Sequence, residues 1–203
     1  MSTGVILAGG RSTRFGETDK VVAELAGVPM IRRVAKRLAD AVDAVVINCR
    51  RDQCESIAAA MDGYPHDVGF AIDEEPDRGP MAGIYEGLRA VDSEYAVVVA
   101  CDMPFVDPAF VQYLLERVAG HEAAVPRLED RWFQTTQAAY HADAMATACE
   151  DALDDGERKI IEPLFELDYV VLDEPDVREH ATLETFRNVN TRGELERAAA
   201  DLG

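Results

Sequence analysis

Leu7 to Lys20 reads LAGGRSTRFGETDK, directly after the apolar pair Val5-Ile6. The apolar lead predicts a short strand, which breaks at the paired glycines Gly9 and Gly10. Without Cβ atoms the backbone there can turn sharply and bring bare N–H groups close to a ligand. Arg11, Arg14 and Lys20 then gather positive charge within the same loop. A strand, a glycine turn and interleaved cations predict a loop that holds a polyphosphate. The stretch lacks the GK[ST] of a P-loop and the G-x-G-x-x-G of a dinucleotide fingerprint, so it belongs to neither class.

The rest of the chain is strongly acidic. Its 203 residues carry 20 basic and 39 acidic side chains, a net charge of −19, and hold few lysines: Lys20, Lys36 and Lys159. Such a surface repels nucleic acid and anionic membrane, which removes both as expected partners. It resembles a halophile-like surface, in which screening over about 3 Å at 1 M salt relieves self-repulsion. Full stability in dilute buffer without salt would contradict that expectation. Cys49, Cys54, Cys101 and Cys149 lack zinc-site spacing, and no signal-peptide pattern opens the chain. Reduced thiols and a cytoplasmic location are therefore expected. The apolar run Ala96 to Cys101 is too short to span a bilayer.

Apolar runs alternate with helical patterns, predicting one domain over residues 1–203: an α/β sandwich of three layers around a mainly parallel, Rossmann-like sheet. Strands are expected at Gly4–Ala8, Ala44–Asn48, Phe70–Ile72, Tyr95–Cys101, Ala123–Pro126, Phe133–Tyr140 and Tyr169–Leu172. Helices are expected at Pro29–Val42, Gln53–Met61, Met81–Val91, Pro108–Ala119, Asp143–Leu153, Ile160–Leu167 and Glu194–Ala200. The acidic piece Asp173–Glu179 reads as a solvated connection. Ligands of such sheets sit beyond the carboxyl ends of the strands, where the glycine turn, Asn48, Asp73 and Asp102 fall.

Asp102 follows the buried run Val97–Ala100 and precedes Met103-Pro104. A carboxylate there suits a hard cation shared with substrate phosphates, or a turn closed on its own backbone. Arg14 and Lys20 suit a triphosphate: an arginine fork fixes two oxygens, and a compact ammonium can follow a moving phosphate. Alternatively, Asp19 merely neutralises Lys20 on an exposed loop. Asn190 precedes Thr191-Arg192-Gly193-Glu194, so it either contributes an amide oxygen to a site or only shapes a helix start.

The pattern LAGG-x-S-x-R-F-G-x-x-D-K resembles the loop of the molybdenum cofactor guanylyltransferases. The resemblance recurs in order at Gly27-Val28-Pro29-Met30, Asn48, Gly79-Pro80-Met81-Ala82-Gly83, Cys101-Asp102-Met103-Pro104-Phe105, Gly156-Glu157-Arg158-Lys159 and Asn188-Val189-Asn190-Thr191. It implies a single nucleotidyltransferase domain of the nucleotide-diphospho-sugar transferase type. The implied reaction passes GMP from GTP to the phosphate of molybdopterin carrying molybdenum and releases pyrophosphate, with Mg²⁺ held by Asp102 and by Asn190 if its side chain joins the site. Arg14, Lys20 and Asp102 would be the catalytic residues. Leu7, Ala8, Gly9, Gly10, Lys20, Asn48, Asp73 and Asp102 would bind the nucleotide, with Glu74 a competitor for the Asp73 role. Arg158 and Lys159 would meet the acceptor's phosphate. Transient contact with molybdoenzymes or other cofactor-biosynthesis proteins is implied as well. Near Phe133–Gln137 the chain departs from the family pattern, leaving the acceptor contacts undefined. Cytidylyl transfer, guanylyl transfer to cobinamide phosphate or phospholactate, and a non-catalytic cofactor-delivery module are the alternatives.

Overall fold

A computed structural model of the chain describes residues 1–10, 15, 19–73, 78–129 and 132–202. Arg14 and Glu74 lie outside these described residues. The main sheet is built from β1 (Thr3–Leu7), β4 (Ala44–Cys49), β5 (Asp67–Ile72), β6 (Tyr95–Ala100), β7 (Ala123–Arg127), β8 (Gln137–His141) and β9 (Tyr169–Asp173). A separate small hairpin joins β2 (Glu24–Leu25) to β3 (Val28–Pro29). The sheet order is β5-β4-β1-β6-β8-β7-β9, and β8 runs against its neighbours while the other pairs are parallel. The expected mainly parallel α/β sandwich is the architecture found.

Alternation along the strands sends side chains into two cores, because successive residues face opposite sides of a sheet. Ile6, Val45, Ile47, Val97 and Val99 pack under α1 (Met30–Leu38), α2 (Cys54–Ala60) and α4 (Pro108–Val118). Val5, Val46 and Val98 pack under α3 (Pro80–Arg89), α5 (Ala142–Asp154) and α6 (Ile161–Phe165). In α1, Ile31, Val34, Ala35 and Leu38 form the buried stripe that their helical spacing predicts. Gly83 and Gly87, one turn apart on α3, let that helix approach β1 and β4 closely. A Cβ at Gly87 would collide with Val5, and one at Gly83 would lie 2.5 Å from Asn48 Oδ1.

Two expectations need correction. Asp173–Glu179 is not a solvated connection, because Glu174–His180 forms a helix, α7. Pro175 suits its first turn, acidic residues there complement the helix dipole, and Val177 is fully buried in the first core. Composition alone hid this, since one buried apolar side chain in two turns leaves no visible stripe. The strand expected over Phe133–Tyr140 starts only at Gln137, with Phe133 in an isolated bridge to Arg127.

Glu174 also predicts an acid sensitivity. Its carboxylate accepts from Glu129 N at 3.1 Å and from the Arg178 guanidinium at 2.6 and 2.9 Å. These contacts, the backbone bond first, hold its pKa below the usual carboxylate value. A lowered folded pKa contributes stability above the unfolded value and loses it as pH falls through the folded one. Glu174→Gln should therefore be less stable than the native chain near neutral pH, with the gap closing in strongly acid buffer. Urea midpoints at both ends of that range check it; a pH-independent gap would refute the ionic contribution.

Candidate active site

Register brings the strand ends into line. Leu7 pairs with Asn48 on one side and with Ala100 on the other. The residues that follow, Gly9, Asp73 and Asp102, therefore leave the sheet along one edge. Three groups of side chains gather there.

The first joins residues remote in the chain. Lys20 Nζ donates to Asp102 Oδ2 at 2.7 Å and to Asn190 Oδ1 at 2.8 Å. Each placement has a local cause. Asp19 Oδ1 accepts from Val21 N at 3.1 Å and so caps the 3-10 turn Lys20–Val22. The Asp102 carbonyl accepts from Val189 N at 2.9 Å, drawing the segment before α8 (Arg192–Ala200) alongside. Thr191 is the residue that caps α8, and Glu194 Oε2 accepts from Asn190 N at 2.6 Å. The helix start thus uses the backbone of Asn190, while its side chain turns to Lys20. Asp102 Oδ1 is buried and accepts no hydrogen bond among the described residues.

The second group pairs Asn48 with Asp73. Asn48, only 2% exposed, donates from Nδ2 to Asp73 Oδ1 at 2.5 Å and to Ala71 O at 3.4 Å. Gly9 lies against both: a Cβ there would overlap Asp73 Oδ2 and approach Asn48 Oδ1 to 3.4 Å. Glycine at this position lets two polar side chains close on the turn.

The third group was not visible as a motif. Arg50 Nη1 donates to Gly9 O and Gly10 O, each at 3.0 Å, and Gln53 Nε2 donates to Ala8 O at 3.1 Å and to Asp19 Oδ2 at 2.7 Å. Burial works against the Arg50 charge, yet the hydrogen bond and field of Asp52, then those of Asp19, outweigh it and raise the guanidinium pKa above its ordinary value. Asp19 thus does more than neutralise Lys20. The available signal was positional: Arg50 and Gln53 sit just past Asn48, at the same strand end as the site.

Arg158 and Lys159 are exposed in the turn between α5 and α6, and neither side chain makes a hydrogen bond or ion pair with a described residue. All four cysteines are free. Burial first of all pushes the Cys49, Cys101 and Cys149 thiols up to about 12, so they stay protonated near neutral pH and are poor nucleophiles. No helix among the described residues is long and apolar enough to cross a membrane.

Comparison with known proteins gives this edge a family. The model of the MobA-like NTP transferase domain matches residues 4–170. A probable molybdenum cofactor guanylyltransferase of Natronomonas pharaonis is 52% identical over 196 residues, covering 97% of this chain and 96% of that protein. One of the same description from Haloferax mediterranei is 41% identical, covering 95% and 90%. The solved structure of molybdopterin-guanine dinucleotide biosynthesis protein A from Archaeoglobus fulgidus superposes with a TM-score of 0.80 at 29% identity, covering 98% of each chain. With its strand ends, glycine turn and alignment over nearly the full length in agreement, the chain belongs to the MobA-like NTP transferase domain family and is a nucleotidyltransferase.

Proposed function

We propose that this enzyme transfers GMP from GTP to the terminal phosphate of molybdopterin, releasing pyrophosphate and forming molybdopterin guanine dinucleotide. The names carried by its relatives support the substrates. The observation that carries the chemistry is the meeting of Lys20, Asp102 and Asn190 beside the glycine turn.

An oxygen of the acceptor phosphate forms the new bond to the α-phosphorus. The bond from that phosphorus to the oxygen bridging to the β-phosphorus breaks, and pyrophosphate leaves with the electron pair. A phosphate monoester has a second pKa of about 6 and is largely ionised at neutral pH, so no side chain need remove a proton. The protein's task is to align the reactants and offset charge. Lys20 supplies a mobile ammonium for the phosphates, and the glycine turn supplies backbone N–H groups. Arg14 joins them on the strength of its sequence position.

The donor set suits Mg²⁺, which favours one or two protein oxygens together with substrate phosphates. Asp102 has a buried oxygen without a hydrogen-bond donor among the described residues, and Asn190 turns a second oxygen to the cation already between them, the Lys20 ammonium. Asp102 and Asn190 would hold the ion, which would neutralise phosphate charge when bound. The Leu7 and Ala8 carbonyls already accept from Cys101 N and Gln53 Nε2, so they would meet the base only through their second lone pairs, while Asp73 would accept from the N1–H and N2–H₂ donors of guanine. Arg158 and Lys159 would serve the acceptor only if it reaches the α5–α6 turn. A cytoplasmic site of action suits the reduced thiols.

Pyrophosphate release in the presence of GTP, Mg²⁺ and molybdopterin tests the proposal, with CTP as the competing donor. Nucleotide binding without pyrophosphate release would favour the delivery module instead. Gly83→Ala tests the base site separately. Its Cβ would press on Asn48, which is buried and tied to Asp73 and so has little room to shift. The KM for GTP should rise about tenfold, the scale of one strong hydrogen bond to a charged group, with a smaller change in kcat. An unchanged KM would remove Asn48 from the nucleoside site.

A further inference from the structure

We infer that Arg50 and Gln53 are positioning residues: they draw the carbonyls of Ala8, Gly9 and Gly10 to one side, so that the N–H groups of Gly9 and Gly10 face the other as a seat for triphosphate oxygens. The inference rests on the nucleotidyltransferase reading and names what sets its phosphate loop.

In a trans peptide the C=O and N–H point in opposite directions, and no described peptide is cis. Gln53 holds the Ala8 carbonyl, so the Gly9 N–H of that peptide points away from Gln53. Arg50 holds the Gly9 carbonyl, so the Gly10 N–H points away from Arg50. Neither N–H donates to any group of the described residues, whereas Ala8 N donates to Asn48 O at 2.8 Å. Successive amides held open in this way form an anion-binding concavity.

The guanidinium is itself held in place. Its Nε and Nη2 donate to Asp52 at 3.1 and 3.2 Å, and Nη2 reaches Asp19 at 3.5 Å. Gln53 is buried at 2% exposure and is used at both ends of its amide, since Oε1 accepts from Arg50 N at 2.9 Å. Asp19, bound by both residues, caps the turn that starts with Lys20. One network therefore orients the glycine amides and anchors the ammonium. Arg50 acts through the backbone, its own charge being matched by two carboxylates.

The test uses the full-length enzyme and two size-conserving variants, Arg50→Lys and Gln53→Met. A lysine keeps the charge but cannot span two carbonyls and two carboxylates with a planar fork. Binding of GTP and of guanosine is measured calorimetrically in Mg²⁺ buffer, alongside thermal melting. GTP affinity should fall by about tenfold or more in each variant, while guanosine affinity stays within about twofold. Equal losses for GTP and guanosine, including complete loss in a variant that no longer melts cooperatively, would overturn the positioning role. So would undiminished GTP affinity in either variant. Failure of the native enzyme to bind GTP would instead strike the functional reading.

Discussion

Asp102→Ala is expected to abolish nucleotidyl transfer, lowering turnover by about a thousandfold or more, without loss of the fold. The carboxylate supplies one bond to Lys20 and one buried oxygen with no donor among the described residues. Alanine removes both, while the neutral Asn190 amide oxygen still accepts from the ammonium. The backbone bonds that shape this corner, Cys101 N to Leu7 O and Val189 N to Asp102 O, do not involve the side chain. Cooperative melting should therefore persist. Single-turnover transfer over a Mg²⁺ titration is the measurement, and native turnover at saturating Mg²⁺ would dismiss Asp102 from the chemistry. Asp102→Asn keeps the shape but halves the oxygen donors, so it should also be severely impaired.

Lys20→Ala should reduce kcat/KM for GTP by about a hundredfold, the scale of removing one preorganised donor from developing charge. The effect should appear in both terms: KM rises because the triphosphate loses a cation, and kcat falls because the leaving pyrophosphate loses charge compensation. Lys20→Arg should rescue poorly. Lys20 sits within 2.8 Å of both Asp102 and Asn190, and the broader guanidinium cannot take the place of a compact ammonium between two oxygens. Native rates at every GTP concentration in Lys20→Ala would exclude the role.

Much of this edge could be read from the chain because its determinants are local. The glycine pair, the apolar strand before it and the aspartate at the end of Val97–Ala100 each follow from near neighbours. Arg50 and Gln53 carry no local signature, because the groups they hold in the glycine turn are backbone carbonyls 40 to 45 residues earlier, which have no side-chain identity to recognise. Helix α7 escaped because two reciprocal aspartates and a single buried valine leave no apolar periodicity. For Asn190, the capping pattern was legible, but the direction of its side chain was not.

Amino-acid order by itself determined the alternation of strands and helices, the two-sided burial of the central strands, and a cationic glycine loop at a strand end; these depend on periodicity and on short-range sterics. Tertiary structure alone decided that Lys20 would meet Asp102 across 82 residues and Asn190 across 170. It also decided that Gly9 and Gly83 would admit the Asn48–Asp73 pair. Such meetings depend on strand order and register, which place distant segments within a few ångströms, and no local pattern in the chain encodes that distance.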